Sequence, residues 1–218
     1  MYKTSFIKTL LLVLVVGAQA FGFAEGKDYL KLKNPIPNAE NTFIKVFNYS
    51  CPFCFKYDKT VTPKVLEVLD KNIEFKFYAL KTKGAYGQEA ADLVAVMSVL
   101  DEEQGISGRE VYTNKKSLVK KVKDALYIGY HKKRIQWKSK DEFIDTGLKA
   151  ASVSRAQYDK YLKDERAQKL LKAWEISYSV GAVQGIPGFV VNGKYLIYTK
   201  SIRSIEGMAK LIEELNKK

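Results

Sequence analysis

The spacing of apolar residues changes period twice along the chain. Thr42 to Phe47 is a run rich in β-branched and aromatic residues and predicts a buried strand; Ile73 to Leu80 predicts a second. Tyr29-Leu30-Lys31-Leu32 is short enough for an edge strand, and Asn34-Pro35-Ile36-Pro37-Asn38 reads as a turn. Between the two stronger strands, Phe53 to Leu69 is helical in pattern. Pro63 is expected to kink or restart that helix, with Thr62 as its cap.

From Gln88 to about Val180 the helical period takes over. Leu93, Val94, Met97 and Leu100 share one face, and Leu118, Val122, Ala125 and Leu126 share another. Ser139-Lys140-Asp141-Glu142 and Ser154-Arg155-Ala156-Gln157 read as capping boxes that open further helices. A long helix is expected from Glu165 to Tyr178, with Leu170, Leu171 and Trp174 inward. Strand patterning then returns. Phe189-Val190-Val191 and Tyr195-Leu196-Ile197-Tyr198 flank Asn192-Gly193, the signature of a hairpin with a type I′ turn. Ser204 to Leu215 closes the chain as an amphipathic helix. The order β-β-α-β, helices, β-β-α predicts an α/β fold: one mixed sheet with helices on its faces, interrupted by a helical insertion.

Composition adds two constraints. Lys and Arg number 37 against 24 Asp and Glu, a net charge of +13. Lys-rich stretches such as Lys115-Lys116 and Lys120-Lys121-Lys123 read first as solvated helix faces. The sharper reading is steering of acidic partners or attraction to anionic lipid. The N-terminus carries the second constraint. Lys3 and Lys8 precede an apolar run, Leu10 to Val16, and Ala18-Gln19-Ala20 matches a small-x-small cleavage site. The run is short of the roughly 20 residues that span a bilayer. A signal peptide over residues 1–20 is therefore expected, with the mature chain starting near Phe21 in an oxidising compartment. An export signal disfavours a nucleic-acid partner.

The chemistry rests on two cysteines, Cys51 and Cys54, three positions apart. A structural zinc site needs four Cys or His ligands; this chain has two Cys and one His, His131, set among Lys132, Lys133 and Arg134. His131 reads as an exposed loop or helix residue. Redox chemistry fits the pair better. Pro52 suits a first helical turn, which makes Cys51 the N-cap, close to free backbone N–H groups and the positive end of the helix dipole. Cys51 is then the more exposed thiolate and leaving group, and Cys54 its covered partner. A low thiolate pKa would stabilise the reduced form and make the disulfide oxidising.

Phe47-Asn48-Tyr49-Ser50-Cys51-Pro52-Phe53-Cys54 resembles the active site of DsbA-type periplasmic thiol:disulfide oxidoreductases. Gly185-Ile186-Pro187-Gly188-Phe189-Val190-Val191-Asn192-Gly193-Lys194-Tyr195 resembles their second signature, and Glu25-Gly26-Lys27-Asp28-Tyr29 their mature start. The resemblance implies a thioredoxin-like domain from 21–84 and 181–218, with a helical insertion at 85–180. It implies a cis Pro187 facing the disulfide and Ile186 backbone groups that pair with an extended substrate. It implies no cofactor beyond the redox disulfide, reduced exported proteins as substrates, a DsbB- or DsbI-like quinone-linked membrane oxidase as partner, and a periplasmic monomer. Isomerase or reductase activity, and a redox-inert peptide-binding role, stay open beside thiol oxidation.

Two departures from the common family pattern stand out. Pro52-Phe53 replaces the usual Pro-His between the cysteines; with the high positive charge, this resembles the DsbL-type branch. Lys45 occupies the strand position, six residues before Cys51, where the family usually carries a buried acid. It reads either as a lysine reaching water along its stem or as a charge beneath the disulfide that favours the Cys51 thiolate.

Overall fold

The computed structural model describes residues 22–218, so the expected signal peptide lies outside the described residues. The strands are β1 (Tyr29–Lys31), β2 (Thr42–Phe47), β3 (Glu74–Ala79), β4 (Gly188–Val191) and β5 (Tyr195–Ile197). They form one sheet in the order β1-β5-β4-β2-β3. β2 pairs parallel with β3 and antiparallel with β4, so the sheet is mixed and β2 is interior. All six β2 residues are buried, as a strand covered on both faces requires. The hairpin closes as the sequence predicts: Asn192 and Gly193 both have positive φ, 55° and 66°, the type I′ requirement.

Strand register divides the sheet into two faces. Phe43 lies opposite Phe75, and Lys45 opposite both Phe77 and Phe189. Paired residues share a face, so Lys45 stands within an aromatic layer. Phe43 sits 5.5 Å from Phe75 and 5.8 Å from Phe189, centroid to centroid.

After β2 come α1 (Pro52–Thr60) and α2 (Thr62–Val68). Pro63 does restart the helix, but Thr62 does not cap it. The Thr62 hydroxyl instead accepts a hydrogen bond from Lys45 Nζ at 2.7 Å. Between β3 and β4 run α3 (Gly87–Glu103), α4 (Glu110–Thr113), α5 (Leu118–Tyr127), a π-helical turn (Ile128–Lys132), α6 (Lys140–Ala151), α7 (Arg155–Leu162), α8 (Glu165–Ala173), a 3-10 turn (Trp174–Ile176) and α9 (Ser177–Gln184). Ser139 and Ser154 cap α6 and α7, accepting from the N–H of Glu142 and of Gln157. The single long helix expected from Glu165 is two helices joined by the 3-10 turn. Leu170 and Leu171 are half-buried, while Trp174 is buried. α10 (Ile205–Asn216), capped by Ser204, packs on α2 and β4.

Candidate active site

Cys51 is the N-cap of α1, and Pro52 opens its first turn. The Cys51 Sγ accepts the Cys54 N–H at 3.1 Å, so an otherwise orphaned helix donor points at the sulfur. Asn48 fixes the approach to that turn. Its Nδ2 donates to the carbonyls of Leu80 and Lys83, both at 2.8 Å, and its Oδ1 accepts from Ser50 N and Oγ. An Asn two residues before a serine in a turn is a recognisable Asx-turn pattern, yet the sequence reading gave Asn48 no role.

Both cysteines are free thiols in this structure. Cys51 is the more exposed of the two, as expected, but only just: it is 2% exposed and Cys54 0%. The cover over Cys51 comes from the segment before β4. α9 ends at Gly185, whose φ of 82° favours glycine, and the Ile186–Pro187 peptide bond is cis. This brings the Ile186 carbonyl to 3.2 Å from Cys51 Sγ, which donates to it. The two distant sequence signatures thus form one site. Phe53 points away from it and is 63% exposed.

The two thiols are electrically unlike. The Cys51 pKa is lowered to about 7. A hydrogen bond from the Cys54 side chain contributes most and burial opposes it. The N–H groups of Cys54 and Phe53 and the charge of Lys83 add to the lowering. Burial pushes the Cys54 thiol well up, and its hydrogen bond to Cys51 adds to that.

Beneath the cysteines lies a buried ionic cluster. Lys45 is fully buried, so it neither snorkels nor lies at an edge. Its Nζ binds Asp58 Oδ1 and the Thr62 hydroxyl. Asp58 lies four residues after Cys54 on α1, one turn along the same face. Its second oxygen is 2.8 Å from Lys123 Nζ of α5, a contact that is ionic rather than an aligned hydrogen bond. Burial raises the Asp58 pKa, but Lys123 and Lys45 together overcome this and hold it below the usual carboxylate value. The sequence reading missed Asp58 and took Lys123 for part of a solvated face.

His131 also departs from expectation. It is half-buried, its ring stacks on Phe55 at 5.6 Å, and its Nε2 lies 3.0 Å from the Tyr49 carbonyl. That contact requires the Nε2–H tautomer. Burial lowers the His131 pKa. The π-helical turn brings it against the strand-to-helix turn that carries Cys51.

Comparison with known proteins agrees with this geometry. A family model described as a DSBA-like thioredoxin domain matches residues 42–211. The thiol:disulfide interchange protein DsbL of Escherichia coli O6:H1 is 47% identical over 220 residues, covering 99% of this chain and 97% of that protein. The thiol:disulfide interchange protein DsbA of Salmonella typhi is 26% identical over 191 residues, covering 85% and 82%. Among solved structures, DsbL of Salmonella enterica serovar Typhimurium superposes with a TM-score of 0.87 at 47% identity, over 91% of this chain and 100% of that one. With a helix-capping cysteine, a second thiol one turn inward and a cis-proline loop against the first, the chain belongs to the DSBA-like family of thiol:disulfide oxidoreductases.

Proposed function

We propose that the protein is a periplasmic thiol oxidase that donates a Cys51–Cys54 disulfide to reduced exported proteins. The observation that carries this reading is the asymmetry of the two thiols, with Cys51 lowered to about 7 and Cys54 pushed up. A substrate thiolate attacks Cys51 Sγ, the Cys51–Cys54 bond breaks, and Cys54 leaves as a thiolate that takes up a proton. A second substrate thiolate then attacks the substrate sulfur of the mixed disulfide and expels the Cys51 thiolate. Stabilising that thiolate stabilises the reduced enzyme, which makes its disulfide a stronger oxidant.

Other residues take supporting roles in this reading. Pro52 starts the helix without wasting an N–H. Lys45 charges the floor of the site. The exposed ring of Phe53 contacts a partner. Ile186 offers its backbone to an extended substrate segment in place of its contact with Cys51, and Pro187 shapes that edge. The redox disulfide serves without a further cofactor. A DsbB- or DsbI-like quinone-linked membrane oxidase restores it, and the enzyme acts as a monomer. The division into a thioredoxin-like domain (21–84 and 181–218) and a helical insertion (85–180) belongs to the same proposal, as does export by residues 1–20.

The test is the equilibrium of the disulfide with glutathione. The expected result is an enzyme found mostly reduced at glutathione ratios that leave thioredoxin oxidised. An equilibrium near that of thioredoxin overturns the oxidase reading and favours a reductase. Client rescue by Cys51→Ala would point instead to a redox-inert chaperone.

A further inference from the structure

Lys123 is brought to Asp58, one helical turn beyond Cys54, from a different part of the chain. Buried Asp101 of α3 holds the start of α5: its carboxylate accepts from Leu118 N at 2.6 Å, Val119 N at 3.1 Å and Ser117 Oγ at 2.7 Å. That anchoring sets the phase of α5, whose buried face is Val119, Val122, Lys123 and Leu126. The Lys123 ammonium is then held by Asp58 and the Tyr112 hydroxyl. It lies 3.8 Å from the Tyr112 ring centroid and 4.2 Å from that of Phe47. These rings give a buried cation favourable contacts that do not neutralise it. Lys45 already pairs with Asp58 from the other side. Two ammonium groups share one carboxylate, so the cluster carries one excess positive charge beneath Cys54.

We propose that Lys123 is a positioning residue for the redox reaction: its charge favours the thiolate-bearing reduced state and so strengthens the disulfide as an oxidant. This deepens the oxidase reading and rests on it. When substrate is oxidised, two substrate thiols release two electrons and two protons and become a disulfide. The Cys51–Cys54 bond takes both electrons, Cys54 takes one proton and solvent the other, leaving a Cys51 thiolate above a Cys54 thiol. The negative charge so created lies over the positive cluster. By linkage, reduction in turn makes Lys123 hold its proton more tightly.

Lys123 is also a group that titrates within reach of experiment. Burial lowers its pKa to about 8; Asp58 and Asp124 oppose the lowering and Lys45 adds to it. The groups around it are Asp58 of α1, Lys45 of β2, Tyr112 of α4 and Asp124 of its own helix. Asp124 is already paired with Lys59 and Lys120. Burial raises the Tyr112 pKa well above its usual value, so its hydroxyl stays neutral. A small cavity lined by Asp58, Val111, Tyr112, Lys120, Lys123 and Asp124 lies beside the ammonium. The excess charge is therefore present below about pH 8 and is lost above it.

The experiment compares glutathione equilibria of the mature wild type, Lys123→Met and Lys123→Arg on both sides of pH 8. Lys123→Met leaves the Lys45–Asp58 pair neutral and fills the site with an apolar chain of similar length. Below pH 8 it is expected to be less oxidising by about tenfold, the size expected for one charge acting across a turn of helix in a protein interior. Above the titration of Lys123 the two proteins converge. Lys123→Arg keeps the strong oxidising character and carries it to higher pH. An equilibrium unchanged by Lys123→Met, or an offset that ignores pH, overturns the proposal. The wild-type position against glutathione judges the oxidase reading separately; only the difference between proteins judges Lys123. The wild type alone supplies a second measurement. The Lys123 ammonium, followed by NMR, should titrate at higher pH in the reduced protein than in the oxidised one, and equal midpoints sink the idea.

Discussion

Asp58→Asn tests the buried cluster through stability. The Asp58 carboxylate offers acceptors to two ammonium groups, Lys45 and Lys123, and all three side chains are buried. An amide keeps one acceptor and turns an N–H donor toward the other ammonium. Two buried cations then lack a counter-ion. Removing one partner from a buried ion pair costs about 3–5 kcal/mol, because the remaining charge is stranded in a poor solvent. The expected loss at neutral pH is in that range. Thr62 and Tyr112, which hold the outer sides of the lysines, keep it from being larger.

The loss also has a predictable pH dependence. A stranded lysine relieves itself by losing its proton, so its native pKa falls further than the value of about 8 that Lys123 has in the wild type. For a lysine with a depressed native pKa, the unfolded chain binds the extra proton, and stability rises with pH between the two values. The variant begins that rise at lower pH than the wild type and gains about 1.4 kcal/mol for each pH unit of extra range. The wild type loses its own Asp58 contribution as pH falls through that depressed carboxylate pKa. The deficit is therefore greatest in mildly acid solution and narrows toward pH 8. Urea unfolding of the reduced proteins, followed by the fluorescence of buried Trp137 and Trp174, measures it. A deficit under about 1 kcal/mol in mild acid, or one that widens toward pH 8, refutes the reasoning. Adding Lys123→Met to Asp58→Asn should restore part of the loss, since it removes one stranded charge.

Two further outcomes follow from the site. Cys54→Ala removes the largest contribution to the lowered Cys51 pKa, so the thiolate absorbance of Cys51 should titrate above the wild-type midpoint near 7; an unchanged midpoint would show that the helix N–H groups suffice alone. Phe53→Ala removes an exposed ring and should leave unfolding stability within about 0.5 kcal/mol. It should slow exchange with the physiological partner, and an unaltered rate there rules out a contact role.

The strand and helix order was legible because each buried element keeps its period. Thr42 to Phe47 forms β2 residue for residue, and the positive φ of Asn192 and Gly193 follows from the turn type their sequence demands. The cysteine turn was legible for the same reason: Pro52 fixes the helix start and leaves Cys51 as N-cap. What failed was polarity read without phase. Lys123 stands beside Lys120 and Lys121 in sequence, but it falls on the stripe of Val119, Val122 and Leu126. Asp58 falls one turn after Cys54 and so faces the same way. Thr62 next to Pro63 looks like a cap, yet a buried ammonium claims its hydroxyl. Cys51 is more exposed than Cys54, as its N-cap place predicts, but it is nearly covered, because the loop over it arrives from 135 residues away, beyond any local pattern. His131 was misread for a like reason, since its partners Phe55 and Tyr49 lie far back in the chain.

The missing histidine between the cysteines now has a physical counterpart. Phe53 offers neither charge nor hydrogen bond, and its ring points outward. The forces that lower the Cys51 thiolate instead come from the Cys54 thiol, the N–H groups at the helix start and the positive charge of Lys83. Beneath them, Lys45 acts on Cys54. In a protein whose exposed dipeptide sets the thiol pKa, partner binding changes the solvent around the tuning group. Here the cluster beneath the cysteines is out of a partner's reach, so its electrostatic effect survives docking. Substitutions at Phe53 should therefore alter recognition with little change in redox equilibrium. Substitutions at Lys45 or Lys123 should alter the equilibrium with little change in recognition. A single substitution at Phe53 that moved both together would break that separation.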